Sequence, residues 1–338
     1  MPKITVLMAV HNGMPYLPEA VDSILRQTFN DFEFLIIDDA STDGSKTFLL
    51  SRQDTRIRLV FNRHHLGLSK SLNKGLDLAS AKYVARMDHD DISLPDRLGR
   101  QKAFLDANPQ IAVLGTWART FGPQRKQIWR YPIRDSEIRS ELVFNSPLVH
   151  SSVMLRRSTF NRHHLRYDEK VKRAQDYELW TRAAPSVQFA NLPYVLLNYR
   201  LHAGQVGRIH GSEQQAVADM VRLREIRKLG ITISRKELNL HNGAARWGFP
   251  SSRAGLQALE RWFLKLCAAN KGSRYFEMAT LDQTLQRRWW AACRSNVGMG
   301  LGAWRLYAGS PLAGGAGHPA AARFWVKALI RELGWRRR

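Results

Sequence analysis

Short apolar runs alternate with helical stripes through the first hundred residues. Ile4–Val10, Phe32–Ile37, Ile57–Phe61 and Lys82–Met87 are apolar runs of strand length. Between them, Leu17, Ala20, Val21, Ile24 and Leu25 share one side of a helix over Tyr16–Thr28. Leu68, Leu72, Gly75, Leu76 and Ala79 do the same over Leu68–Ala79. A further helix follows the turn Ser41-Thr42-Asp43-Gly44 and runs to about Leu50, and another covers Pro95–Ala107. This alternation predicts right-handed crossovers and a mainly parallel sheet, an α/β fold.

From Ile111 the rhythm loosens. Ile111–Thr116 reads as a strand, and the Gly122-Pro123 turn predicts a hairpin arm ending near Ile128 and Trp129. Ser152–Leu155 and Val195–Leu201 are shorter strand candidates, with a helix over Asp176–Ala183 between them. After His202 the strand pattern stops. The remainder is helical, rich in Trp and Arg, with a Gly/Pro/Ala-rich break at Ser310–Ala321. Two regions follow: an α/β domain over residues 1–205 and a helical, basic C-terminal region over residues 206–338.

The chemistry concentrates where strands end. Met87-Asp88-His89-Asp90-Asp91 follows the run Tyr83-Val84-Ala85, which places carboxylates at the carboxyl edge of the sheet, where open α/β sheets hold their ligands. Asp88 and Asp90, one residue apart, suit a hard divalent cation that itself holds a diphosphate. Helix capping by Asp91 and Ser93 is the simpler alternative, but it leaves Asp88 and Asp90 unexplained. Asp38-Asp39 ends the second strand at the same edge, either to meet a base or ribose or to form a turn before Ser41. His11-Asn12-Gly13 holds one glycine, and neither G-x-G-x-x-G nor G-K-[ST] occurs, so phosphate charge must be met by a metal or by basic side chains. Asp176 stands at a helix start, as an N-cap or as an ionised base. His150 and His202 stand singly. The doublets His64-His65 and His163-His164 have no carboxylate spacing and read as surface residues.

Charge widens the picture. The 338 residues carry a formal +23. Residues 1–202 hold 29 basic and 21 acidic side chains, whereas residues 203–338 hold 23 and 8, a net +15. Such an excess points to a polyanion: anionic lipid, nucleic acid or a charged substrate. No run approaches the roughly 18 apolar residues of a membrane span, and the N-terminus lacks a signal pattern. Cys267 and Cys293 lack zinc-site spacing and read as reduced core thiols of a cytoplasmic protein.

Seven stretches together resemble the inverting family-2 glycosyltransferases of GT-A fold, a Rossmann-like, mainly parallel sheet with flanking helices. They are Ile4–Gly13, Phe32–Gly44, Leu66–Leu78, Tyr83–Arg97, His150–Leu155, Ala174–Trp180 and Tyr199–His202, in that order over residues 3–202. The resemblance implies that Asp39 contacts the nucleotide and that the backbone around Ala9 and His11 borders the base. It implies that Asp88 and Asp90 are the D-x-D acids, the first toward ribose and the second a ligand of Mn2+ or Mg2+. It makes Asp176 the catalytic base and His202 a histidine near the diphosphate or metal. The implied reaction passes sugar from a nucleotide-sugar donor, a UDP-sugar, to a saccharide or lipid-linked acceptor in cell-surface polysaccharide or glycolipid synthesis. Ala9 and His11 depart from the family's usual proline and tyrosine, and Gln175 from its frequent glutamate.

The resemblance is silent on the tail. One alternative is a polyanion-binding module with Trp289 and Trp290 as stacking platforms, although no nucleic-acid signature accompanies them. Phe324, Trp325, Ala328, Leu329 and Leu333 lie at near-helical spacing, with Arg323, Lys327, Arg331 and Arg336 on other faces and Arg336-Arg337-Arg338 closing the chain. That pattern predicts either a helix lying on the anionic inner face of the plasma membrane or one packed on its own domain.

Overall fold

A computed structural model of the protein describes residues 2–123, 126–204, 211–314 and 318–333. It divides into two compact units, residues 1–138 with 146–218 and residues 139–145 with 219–338. The expected break near residue 205 and the closing arginines fall outside the described residues. Residues up to 218 belong with the first unit, and the short segment 139–145 belongs with the second.

In the first unit, β1 (Ile4–Val10), β2 (Phe32–Asp38), β3 (Ile57–Phe61) and β4 (Tyr83–Met87) lie parallel in the order β3-β2-β1-β4. Helices α1 (Leu17–Leu25), α2 (Ser45–Leu50) and α3 (Leu68–Leu78) connect them. All seven residues of β1 are buried, as expected of a central strand covered on both faces. Gly75 lets α3 lie flush on β1, because a Cβ there would meet Leu7 Cδ1 at 2.2 Å.

Beyond β4 the sheet becomes mixed. It continues through β8 (Met154–Arg156), β6 (Ile111–Phe121), β9 (Gln188–Arg200) and β5 (Ile92–Ser93), with β7 (Ile128–Trp129) hairpinned onto β6. Helices α4 (Arg97–Ala107), α5 (Asp135–Leu142), α6 (Arg157–Arg162) and α7 (Gln175–Ala183) occupy the connections. Strand β6 outruns the expected Thr116, and β9 begins seven residues before the expected Val195. Pro193 is the reason. Its missing N–H reads as a strand breaker, yet β9 passes Pro193 and Tyr194 through a bulge between the pairs Thr116–Leu192 and Trp117–Val195.

The second unit is helical: the end of α8 (Gly211–Arg227), then α9 (Arg235–Ala245), α10 (Arg253–Ser273), α11 (Met278–Ser295), α12 (Leu301–Ala308) and α13 (His318–Glu332). Its core holds Trp262, Phe263, Leu285 and Trp289. Segment 139–145 is tied in by charge: Arg288 is buried, pairs with Glu141, and lies 3.8 Å over the Phe144 ring. Trp289 has no exposed surface, which removes it as a stacking platform for a polyanion. Cys267 and Cys293 are both free, and burial pushes each thiol up to about 12. No helix among the described residues is long and apolar enough to cross a membrane.

Candidate active site

The parallel register of β1, β2 and β4 brings their carboxyl ends to one edge, where a cavity of about 650 Å³ opens. Ala9, His11, Asp39, Asp88, Asp90 and Asp176 all line it. That volume lies within the range of ligand sites.

One end is organised by Asp39. Its Oδ1 accepts from Asn62 Nδ2 and the Leu66 amide, both at 2.8 Å, and its Oδ2 accepts from the Gly67 amide at 2.8 Å. His65 Nδ1 lies 3.0 Å from the same Oδ2. Burial would raise this carboxyl, but the bonds from Leu66, Asn62 and Gly67, with the charge of His65, hold it below its ordinary value. His11 donates from Nδ1 to the Asp39 carbonyl at 2.8 Å, and the His11 and His65 rings lie 3.9 Å apart between centroids. His65 is exposed, as its doublet suggested, yet its pairing with Asp39 makes it part of the cavity lining. The carboxylate of Asp39 clamps the loop after β3, and that clamp sets a two-histidine wall at the cavity edge.

The middle of the site descends from β4. Tyr83, Ala85 and Met87 point into the core, so Arg86 and then Asp88 fall on the opposite face, toward the cavity. Arg86 is 2% exposed and pairs with Asp88, while its Nε and Nη2 find no hydrogen-bond acceptor among the described residues. Burial opposes its charge, and Asp88 offsets that. Oxygens of Asp88, Asp90 and Asp91 lie within 4.8 Å of one another. Asp90 Oδ2 is 3.0 Å from His202 Nε2.

Asp91 is not a helix cap. It is fully buried, accepts from Ser151 Oγ and from the Arg200 amide, and so ties the acidic loop to β9. Burial, then the charges of Asp90 and Asp88, push its carboxyl well above the ordinary range. Arg200 braces the same loop by donating to the Asp90 carbonyl at 2.8 Å, with its guanidinium between the rings of Tyr16 and Phe121.

Asp176 lines the same cavity from the first turn of α7. Ala174 before it adopts φ 50°, a left-handed turn that starts the helix against the cavity. Burial raises the Asp176 carboxyl; its own and the Tyr177 amides, Arg86 and Ser146 act against that rise. His150 also lines the cavity, and its Nε2 is joined to the OH of Tyr167 at 2.7 Å. Burial, helped by Arg86, lowers His150 to about 3, so its imidazole is neutral.

Sequence patterns pointed to neither Arg86 nor His65. For Arg86 a signal existed, a cation inside an otherwise apolar central strand. None marked His65, because only the long-range closure of residues 62–67 on Asp39 brings it in.

The model for "Glycosyl transferase family 2" matches residues 5–165. An uncharacterized glycosyltransferase of Haemophilus influenzae is 31% identical over 248 residues, covering 69% of this chain and 77% of that protein. The O-antigen biosynthesis glycosyltransferase WbnJ of Escherichia coli is 31% identical over 59% of this chain and 80% of its own. Among solved structures, S. aureus TarS 1-349 in complex with UDP-GlcNAc superposes with a TM-score of 0.58 at 15% identity, covering 99% of this chain and 93% of that one. The chain spans 52% of a longer TarS structure, which aligns with a TM-score of 0.56. At that identity the likeness is one of fold.

Proposed function

From the premise that this chain belongs to glycosyl transferase family 2, we propose that it is an inverting enzyme which transfers a sugar from a UDP-sugar to an acceptor hydroxyl. One observation carries the reading: a carboxylate at a helix start, Asp176, opens onto the same cavity as the acidic cluster of Asp88 and Asp90.

The steps follow from the side chains. Ala9, His11 and Asp39 border the base, with His65 beside them. Asp88, held by Arg86, faces the ribose. The acceptor hydroxyl lies against Asp176, which takes its proton as the oxygen attacks the anomeric carbon from the face opposite the nucleotide. A single displacement inverts that carbon and releases UDP, so no protein nucleophile is required. Burial that raises the Asp176 carboxyl also makes it a stronger base than an exposed aspartate.

The acidic cluster fits a hard cation, since it offers only carboxylate oxygens, close together. Asp90, with His202 beside it, would hold Mn2+ or Mg2+. When bound, such an ion supplies charge stabilisation for the departing diphosphate.

The donor class is supported by TarS 1-349, solved with UDP-GlcNAc. The names of WbnJ and of the amylovoran biosynthesis glycosyltransferase AmsE of Erwinia amylovora support a saccharide or lipid-linked acceptor in envelope polysaccharide synthesis. The unit of residues 1–138 and 146–218 carries this chemistry. The basic helical region that follows is the part with which the enzyme stays peripheral on the cytoplasmic face of the membrane. A panel of UDP-sugars incubated with and without Mn2+ tests the reading by UDP release. Metal-dependent release with one or more donors, and NMR of the product showing the inverted anomer, are expected. Retained configuration would sink the single-displacement mechanism.

A further inference from the structure

Helix α13 is pinned in rotation, and the pinning decides which of its side chains face outward. Phe324 is 2% exposed and sits among the rings of Trp290, Trp304 and Tyr307, at 5.2, 5.7 and 6.2 Å between centroids. Ala328, one turn on, is fully buried. Glu332, another turn on, accepts from the Leu301 amide at 3.0 Å and so fastens the end of α13 to the start of α12. These three residues, spaced by four, define the inward face. Sequence spacing put Phe324 and Ala328 on a common apolar stripe with Trp325 and Leu333; the packing separates them.

What remains outside is apolar. Trp325, Val326, Ile330 and Leu333 are 43, 45, 39 and 65% exposed, with Leu329 half-buried beside them. At about 3.6 residues per turn these five side chains fill roughly 140° of the helix circumference. Arg323, Lys327 and Arg331, all exposed, follow on the next arc, between the apolar face and the packed face. Exposed apolar patches of this kind mark an interaction surface.

We propose that this face of α13 is the docking surface for an anionic lipid bilayer, the helix lying in the interface plane with Trp325, Val326, Leu329, Ile330 and Leu333 toward the acyl chains. The inference rests on the peripheral localisation proposed above and is independent of the transfer chemistry. Charge selects the occupant. One flank of the apolar arc carries Arg323, Lys327 and Arg331, the carboxylate of Glu332 on the other is engaged by the Leu301 amide, and residues 203–338 carry a net +15. A second copy of this face would bring like charges together. A nucleic acid would meet the basic arc but gain nothing from five apolar side chains. An anionic leaflet satisfies both arcs at once: apolar residues enter below the headgroups and the arginines and lysine stay among the phosphates.

The test is flotation of the full chain with phosphatidylglycerol vesicles and with phosphatidylcholine vesicles, at low and high salt. The expected result is salt-sensitive binding to the anionic vesicles and little to the neutral ones. In Ile330→Glu/Leu333→Glu, both changes sit on exposed positions, so circular dichroism and UDP release stay as in the parent while vesicle binding falls about tenfold or more. Lys327→Glu/Arg331→Glu loses the preference for anionic vesicles. Binding of the full chain that is unchanged in the Ile330→Glu/Leu333→Glu variant refutes this surface. Failure of the full chain to bind anionic vesicles at all refutes the peripheral localisation as well, and UDP release reports on the transfer reading separately.

Discussion

Replacing Asp176 by Asn tests the proposed base through two opposite effects of one atom. The substitution keeps shape and leaves an oxygen to accept from the Tyr177 amide, but it removes the group that takes the acceptor's proton. Losing a general base costs about 10²–10⁴ in rate, a barrier increase of about 2.7–5.5 kcal/mol. The stability effect runs the other way. Burial raises the Asp176 carboxyl in the folded chain, so ionising it costs more there than in the unfolded chain. A raised carboxyl contributes stability that is present below the unfolded value and is lost as pH rises through the folded one. At neutral pH the parent therefore bears that loss, and the neutral amide does not. The expected variant is nearly inactive, melts no lower than the parent at pH 7, and loses any advantage as pH falls below about 4. UDP titration by calorimetry should stay within a few-fold of the parent, because Asp176 takes no part in the bonds that build the Asp39 clamp. Near-full turnover with the natural acceptor refutes the assignment; a large loss of melting temperature at neutral pH refutes the reasoning from burial.

Asp90→Ala should remove the metal dependence of UDP affinity, whereas Asp88→Ala should weaken UDP binding with or without Mn2+; a calorimetric metal effect that survives in Asp90→Ala contradicts the cation site. Arg86→Met removes a charge that lowers the Asp176 carboxyl, so the acid limb of the rate profile should move to higher pH, and an unmoved limb would show that the two groups are uncoupled. Gly75→Ala should lower the melting temperature: the helix propensity gain of about 1 kcal/mol is outweighed by about 1–3 kcal/mol of overpacking against Leu7, whose Cδ1 would lie 2.2 Å away.

The first four strands were legible because their apolar runs are continuous and end in acids or turns. Ile4–Val10 and Ile57–Phe61 coincide with β1 and β3 residue for residue. The carboxylates at those strand ends were legible for the same reason, since the end of a parallel strand and the edge of the sheet are one place. The first half of β9 was not, because a bulge absorbs Pro193 only when β6 is alongside to carry the register.

Local order along the chain, then, determined the α/β class, the seven family stretches and the strand-end acids, because each depends on neighbours in sequence. Tertiary structure alone decided the rest. Arg86 and His65 enter the site through Asp88 and Asp39, residues whose places are set by sheet register and by loop closure. Asp91 turned from a helix cap into a buried strut because Ser151 and Arg200 come to it from far along the chain. The apolar spacing of α13 permitted several rotations, and the aromatic box around Phe324 selected one. A helical stripe states how many faces are apolar, but which of them is covered depends on contacts that one segment does not contain.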